Sequence, residues 1–451
     1  MTCVAGLDAQ VVVTGTVTDS IHHKPLTGAL VQLAGDDARF AKSVTSDSLG
    51  VYRIDSILPG EYIIGFFHPT LDSLGVDLSP RRLTIRAGAE QRTNLAIPSA
   101  ATIVRQLCPA SVNRDSTGLL LGHLRDADSH MPRPGTVTLL WMELLIGKGG
   151  LQRNRQQIPI KSDSAGWFAM CGLPSDVEMQ ASAQAGDAES GVVELRVPAG
   201  GLLLRDFLVS RADSMVPAYD DSSAVHGVLP VPMLRRGTAR VSGLVHNDKG
   251  KPVQNAQVIV PGTGVDVRTQ ETGAFALAGL PSGTQTVEVR AIGFEPKRVT
   301  ADLSRDSLTT LDVVLDHPVQ TLDAVKIYGQ GNSAMREFTR RLKAGWGHIL
   351  TPADIAKRNA FQASDLFRTI PGVRVSPTRN GFGNTVLVRG CKPTVYYNGM
   401  RMDDDAASDI DMLVQPSELT AVEVYSSASR PIEFYGNSCG SIVLWVGMLP
   451  R

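Results

Sequence analysis

The stretch "DLFRTIPGVRV", Asp365–Val375, decides how the C-terminal part of this 451-residue sequence is read. Ser364 offers a side-chain oxygen as an N-cap, and Leu366, Phe367 and Ile370 then share one helical face. Pro371 lacks the N–H that a helix needs, and Gly372 accepts the reversal that follows. Beyond it, "VRVSP", "NTVLVRG", "TVYYNGMRM", "LTAVEVYS" and "SIVLWVG" alternate as strands. Asn398-Gly399 is a two-residue hairpin signal, and "PSELTAVEVY" reads as a capped single turn feeding a strand. Upstream, "REFTRRLKAGWG" predicts a basic amphipathic helix with Phe338 and Leu342 at i, i+4, stopped by Gly345 and Gly347. "TPADIAKRNA" opens with Thr351 as cap, Pro352 at the first helical position and Asp354 at the third. This is an α+β domain.

The rest of the chain repeats one β-pattern three times. The first copy runs "TGTVTDSIHHKPLTGALVQLAG" then "TSDSLGVYRIDSILPGEYIIGFFHP", and the third runs "VSGLVHNDKGKPVQNAQVIVPG" then "TQETGAFALAGLPSGTQTVEVRAIGFEP". A poorer middle copy has "LLGHLRDADSHMPRPGTVTLLW" then "KSDSAGWFAMCGLPSDVEMQASAQ". In each, a strand enters a turn closed by Pro25, Pro134 or Pro252, and a tight turn with Gly50, Gly166 or Gly273 follows. Shortly after that glycine comes an aromatic residue, Tyr52, Phe168 or Phe275, which the alternation places inside. The expected product is an antiparallel sandwich of about seven short strands per copy. The fold class is therefore multidomain and mostly β: three Ig-like sandwich modules followed by the α+β domain. The expected boundaries are an N-terminal segment 1–10, modules at 11–99, 100–212 and 238–318, a linker at 213–237, a leader at 319–332 and the last domain at 333–451.

Composition narrows the function classes. Lys+Arg 44 against Asp+Glu 45 leaves a formal charge of -1, which lacks the basic surplus of a nucleic-acid footprint. No apolar run approaches the roughly 18 residues of a membrane helix; "VTLLWMELLIG" is short and interrupted by Glu143. "MTCVAGLDAQ" has no basic start and no apolar core, so its "GLDAQ" reads either as the tail of a signal peptide or as an ordinary terminus. No His-Glu-x-x-His or His-x-x-Glu pair is present, and the nine histidines are scattered, read as surface or turn residues. No enzyme and no cofactor are expected. "MDDDAASDID" gathers Asp403, Asp404, Asp405, Asp409 and Asp411, which could take Ca²⁺, but without EF-hand spacing a solvated acidic loop is the better reading. The cysteines are Cys3, Cys108, Cys171, Cys391 and Cys439, none in a C-x-x-C. Setting Cys3 aside leaves two pairs, each inside one proposed domain. Two structural disulfides in an oxidising compartment are favoured over free buried thiols.

The repeats resemble carboxypeptidase regulatory-like modules, which have a transthyretin-like, carbohydrate-binding-like β-sandwich fold. The resemblance rests on Gly15-Thr16-Val17 and Gly243-Leu244-Val245, on Pro252 with Asn255, Ala256 and Val258, on Thr269, Gly273 and Phe275, on Leu280-Pro281-x-Gly283, and on Ala291, Gly293, Phe294 and Pro296. It is strongest in the third copy and weakest in the opening half of the second. In the second, Cys108 precedes the first strand and Cys171 follows the aromatic strand, so a bridge is feasible.

The last domain resembles the plug of TonB-dependent outer-membrane receptors. The matching residues are Asp365-Leu366 with Ile370-Pro371-Gly372-Val373, the Arg389-Gly390 pair, "PTVYYNGMRM", "PSELTAVEVY" and "YGNSCGSIVLWV", with "TLDAVKIYG" matching the leader that often precedes plugs. Asn398 stands where the family usually has Asp, and "SSASR" replaces its usual glycine-containing loop. The plug fold implies that the strands near Cys391 and Cys439 lie close, hence a Cys391–Cys439 disulfide. Arg389, Gly390, Asn398 and Gly399 mark the plug's hairpin and are its partner-binding candidates; shaping turns is the competing role. A full receptor needs a barrel of about 22 strands, and only Gly447–Arg451 follow the plug. The resemblance implies a cell-envelope protein of the periplasm or outer membrane. It would bind a small-molecule, glycan or peptide ligand, an outer-membrane barrel or a TonB-type coupling protein, in connection with outer-membrane uptake. The alternative is a secreted or periplasmic carbohydrate- or peptide-binding sandwich protein with a relic plug.

Overall fold

The structure, a computed structural model, describes residues 10–35, 41–76, 78–88, 90–112, 116–147, 150–217, 233–316, 333–345, 347–378, 383–403, 405–408 and 410–447. Cys3 and the leader "TLDAVKIYG" lie outside the described residues. The chain divides into two compact units, one of residues 1–123, 162–177 and 196–206, the other of residues 124–161, 178–195 and 207–451. The middle repeat is divided between them.

In the first unit, Val11–Asp19 is the centre of a five-stranded sheet, antiparallel to Val51–Ile57 and parallel to Leu95–Ile97. Ala41–Thr45, Leu30–Gly35, Gly60–Phe67 and Arg81–Ile85 form a second, four-stranded sheet. The alternation in the sequence is the burial pattern: Val13, Val17, Val31, Leu33, Ile54 and Ile64 are fully enclosed. Tyr52 points inward and donates its hydroxyl proton to the Thr93 carbonyl at 2.6 Å. Helix Ala100–Leu107, capped by Ser99, ends at Cys108, which is joined to Cys171. Cys171 lies within the aromatic strand Trp167–Pro174 and not after it.

The third repeat, in the second unit, has the same two sheets. Ala239–Asn247 runs antiparallel to Ala274–Leu280 and parallel to Leu308–Leu315, and Val265–Arg268, Gln257–Val260, Gly283–Arg290 and Lys297–Leu303 form the other sheet. The two ends of the expected linker, Ser214–Pro217 and Met233–Arg236, pair as strands.

Two motifs that look separate in sequence are cross-strand partners. Gly15 sits opposite Tyr52, Gly122 opposite Phe168 and Gly243 opposite Phe275. A Cβ on Gly15 would stand 1.8 Å from the Thr93 carbonyl oxygen and 2.9 Å from the Tyr52 ring. On Gly122 it would meet the Arg205 carbonyl oxygen at 1.9 Å and Phe168 at 3.0 Å, and on Gly243 the Leu311 carbonyl oxygen at 2.1 Å and Phe275 at 2.8 Å. The glycine leaves the space into which the ring folds while a third strand closes in from the other side. The same glycine–aromatic pairing thus occurs in the first, middle and third copies.

The C-terminal domain is built on a five-stranded sheet in the order His348–Leu350, Leu419–Tyr425, Ser441–Val446, Thr394–Tyr397, Met400–Arg401. Both faces are covered. Val395, Val422, Val424, Ile442 and Leu444 pack on one side with Leu366, Phe367 and Ile370. Tyr396, Tyr425, Val443 and Trp445 pack on the other with Phe338 and Phe434. Val373–Pro377 and Asn384–Val388 form a separate two-stranded ladder. The expected helix at Ser364 is a short 3₁₀ turn, Ala363–Phe367. Asp365 accepts from the Gln362 N–H, so Gln362 and not Ser364 is the cap, and Ile370 N–H bonds the Phe367 carbonyl three residues back. The Leu366 carbonyl is taken by Arg358, which removes an acceptor that a longer helix would use. Thr351 and Asp354 cap Pro352–Arg358 reciprocally, at 3.0 and 3.3 Å.

Within the second unit the third sandwich meets this domain at Phe361, whose ring lies 5.8 Å from the Arg290 guanidinium and 5.5 Å from that of Arg298. Arg298 Nε also contacts Glu288 at 2.9 Å. Burial first, and the Asp365 carboxylate second, push the Glu288 carboxyl up to about 8 from 4.5. A carboxyl raised in the folded state contributes stability that is complete below 4.5 and lost as pH rises through about 8. Glu288→Gln is therefore expected to leave the thermal midpoint nearly unchanged at about pH 5 and to raise it at about pH 9. Equal shifts at both pH values would contradict this.

Candidate functional site

Arg389-Gly390 and Asn398-Gly399 are both two-residue turns with two positive φ angles, 52° and 85° in the first and 50° and 82° in the second. They lie at the two ends of strand Thr394–Tyr397, so the structure does not bring them into one site. Asn398 is occupied: its amide oxygen accepts from Val446 N–H at 2.7 Å and its amide nitrogen donates to Val446 O at 3.1 Å. These bonds continue the parallel ladder to Ser441–Val446, and Gly399 completes the turn.

Arg389 is placed differently. Its backbone N–H donates to the Gly372 carbonyl at 2.8 Å, tying its turn to the Pro371-Gly372 reversal. Val388 and Cys391 exchange backbone bonds across the turn at 2.9 and 3.2 Å. Arg389 lines a cleft of about 310 Å³ where the starts of His348–Leu350 and Val373–Pro377 meet the ends of Asn384–Val388 and Leu419–Tyr425. Buried Val388 and Val424 form the floor. Arg389, His348, Ser426 and Ser429 form a polar rim, with Ser426 N–H bonded to Ser429 Oγ at 3.2 Å. The sequence pointed to Arg389 but not to the other three. The "SSASR" departure that supplies both serines was the available signal.

Three devices hold this region in place. Cys391, next to the turn, is joined to Cys439, two residues ahead of the last strand. Asp411 is buried and accepts from Ser364 N–H at 2.7 Å, Ser364 Oγ at 2.9 Å and the Asn384 backbone and side-chain nitrogens at 3.0 Å each. Burial raises its carboxyl even against those donors. Asp411 thus corrects the reading of a solvated acidic loop: it is an internal strut, and Ser364 is its partner. Asp403 and Asp405 are exposed, with Asp405 2.8 Å from Lys392, while Asp404 and Asp409 lie outside the described residues. Among the described residues no group of three or more His, Cys, Asp or Glu could hold a metal ion.

The third device is a buried ion pair. Arg341, 2% exposed, reaches Glu423, 0% exposed, through Nε and Nη2, both at 2.8 Å. Glu433 takes Nη1, the Tyr425 hydroxyl and Trp445 Nε1 donate to the same Glu423 carboxylate, and the guanidinium lies 4.9 Å from the Phe434 ring centre. Burial first, then the Glu423 carboxylate, pushes the Tyr425 hydroxyl well above its ordinary range. This overturns the expected face of helix Ser333–Ala344. Phe338 is buried as expected, but Leu342 is 38% exposed, and Arg341 is the residue that turns inward. His123 is a second exception, buried in strand Thr117–Asp126 rather than on a surface or turn.

With this geometry in view, comparison with known proteins identifies the parts. Residues 347–440 match the TonB-dependent Receptor Plug Domain. The C-terminal domain is a TonB-dependent receptor plug. Residues 12–98 and 240–316 match the Carboxypeptidase regulatory-like domain, so the plug follows sandwiches of that family. The chain is 23% identical over 218 residues to the TonB-dependent receptor SusC of Bacteroides thetaiotaomicron, covering 45% of this chain and 20% of that protein. It therefore spans about one-fifth of the length of that curated relative. Among solved structures, the Bacillus anthracis TIE protein is 12% identical with a TM-score of 0.19, covering 69% of this chain and 51% of its own. A variant of BcpA, the major pilin subunit of Bacillus cereus, is 11% identical with a TM-score of 0.20, covering 68% of this chain and 99% of its own. Scores this low carry no argument. Among the described residues no helix is long and apolar enough to cross a membrane, which says nothing about barrel strands.

Proposed function

We propose that this chain is a non-enzymatic cell-envelope protein in which regulatory-like sandwiches and a plug serve ligand or partner capture linked to outer-membrane uptake. The observation that carries the reading is the plug domain itself, with its strands, Asp411 strut and Cys391–Cys439 bridge in place. Two disulfides, one in a sandwich region and one in the plug, suit an oxidising compartment such as the periplasm. An outer-membrane barrel or a TonB-type coupling protein is the partner class that a plug implies, and a small molecule, glycan or peptide is the ligand class.

Cell fractionation with in-cell cross-linking tests this. The full chain is expected in the periplasmic or outer-membrane fraction, with captured partners lost when residues 321–451 are deleted. A cytosolic location, or undiminished capture without the plug, would overturn it.

A further inference from the structure

We infer that the outer face of the first sandwich's four-stranded sheet docks a second copy of this chain, face to face. The three repeats share one sheet order, and the strand third in that order is Gly60–Phe67 in the first copy, Glu178–Ala185 in the middle copy and Gly283–Arg290 in the third. The chain itself covers this face in two of the three. In the middle copy Met142, which alternates with buried Val137, Leu139 and Trp141, packs against the plug's apolar core, and Glu178 accepts from the plug's Gln415 at 3.1 Å. In the third copy Thr284 Oγ1 accepts from Leu208 N–H at 2.9 Å, Thr286 donates to the Val192 carbonyl at 2.7 Å, and the plug's Phe361 lies over Arg290 and Arg298. In the first copy the same face is open: Phe67 is 63% exposed, and its cross-strand partner Leu30 is exposed too. Among the described residues, the side-chain hydrogen bonds on this face stay within it, from Gln32 to Ser43 at 3.2 Å and from Thr84 to Glu61 at 3.0 Å.

The layout of the face selects a second copy as its occupant. Its two central strands place Leu30 opposite Phe67, Gln32 opposite Gly65 and Ala34 opposite Ile63. A twofold axis running along the strands, between these two, turns Phe67 onto the second copy's Leu30, Ile63 onto its Ala34 and Gln32 onto the gap at its Gly65. The sandwich alone does not require that gap, since a Cβ on Gly65 would meet nothing closer than Pro80 at 3.8 Å. Glu61 and Arg82, the charges that alternation turns outward on these strands, lie toward one end, and the axis opposes neither to its own counterpart. The face is four strands wide, at about 4.8 Å per strand, and about 20 Å long, which puts the contact at the small, weak end of interface sizes.

Sedimentation velocity on the purified full chain, from about 1 to 200 µM, tests the inference; a reversible monomer–dimer equilibrium is expected. Phe67→Lys and Gly65→Gln are each expected to weaken the dimer by about tenfold or more, the first by placing a charge on the second copy's Leu30 and the second by filling the gap. Ile292→Lys, at a 92% exposed apolar site on the third sandwich, is expected to leave association unchanged. Both tested first-sandwich sites face outward, so the thermal midpoint of the monomer should hold. Should Phe67→Lys fail to fold, Gly65→Gln decides alone. A chain that stays monomeric at about 200 µM, a dimer that either folded variant leaves intact, or an equal loss from Ile292→Lys would overturn the inference.

Discussion

Arg341→Ala is expected to destabilise the plug domain by about 3–5 kcal/mol, read as a fall in the denaturant midpoint of the plug's unfolding transition. The size follows from what is left behind. Glu423 is wholly enclosed in the central sheet, and without the guanidinium its carboxylate keeps, among the described residues, the Tyr425 and Trp445 donors. An ionised carboxylate in that setting either remains charged at high cost or takes up a proton, and both weaken the fold. The loss also removes the contact between the guanidinium and the Phe434 ring and frees Glu433, which tethers the Ile432–Phe434 turn. Replacing both partners, as Arg341→Met with Glu423→Leu, is expected to cost far less than Arg341→Ala, because no charge is then stranded. A double replacement as damaging as the single one would show that the pair matters for shape and not for charge.

Removing the plug disulfide is the second large effect. Cys391 and Cys439 are 48 residues apart, and a closed loop of that length is worth about 4 kcal/mol in restricted unfolded-state entropy. Cys391→Ser with Cys439→Ser is expected to lower plug stability by about that amount. In unmodified protein, reductant should have the same effect and should also open Cys108–Cys171, whose separation of 63 gives a similar figure, about 4 kcal/mol. Insensitivity of the unfolding midpoint to reductant would contradict both estimates.

Much of this architecture was legible because local chemistry and global fold agree. The turn glycines and inward aromatics predicted the sandwiches, and Tyr52, Phe168 and Phe275 are all buried. Pro371-Gly372, Thr351 with Asp354, and Asn398-Gly399 act where their chemistry places them. The residues that could not be read are those whose roles are set by a distant partner. Arg341 and Leu342 are neighbours on a basic helix, and helical periodicity alone favours burying the leucine. Glu423, 82 residues later in a largely apolar strand, together with Glu433, makes the arginine the inner residue. That lone glutamate was the usable signal, since a carboxylate inside a sheet requires a cation. Asp411 looked like one acid among five, and its burial depends on Ser364 and Asn384, 47 and 27 residues away. The cleft escaped for the same reason. His348, Arg389 and the Ser426–Ser429 turn come from three separate chain segments, and only the convergence of strand ends brings them to one rim.

The proposed function requires a disulfide-stapled chain of regulatory-like sandwiches and plug in the cell envelope. Peptide mapping under non-reducing conditions, on protein taken from the envelope fraction of the cells that make it, tests this most directly. The expected result is one linked peptide pair holding Cys108 with Cys171 and another holding Cys391 with Cys439. Four free thiols at these positions, or the intact chain recovered only from the cytosol, would contradict it.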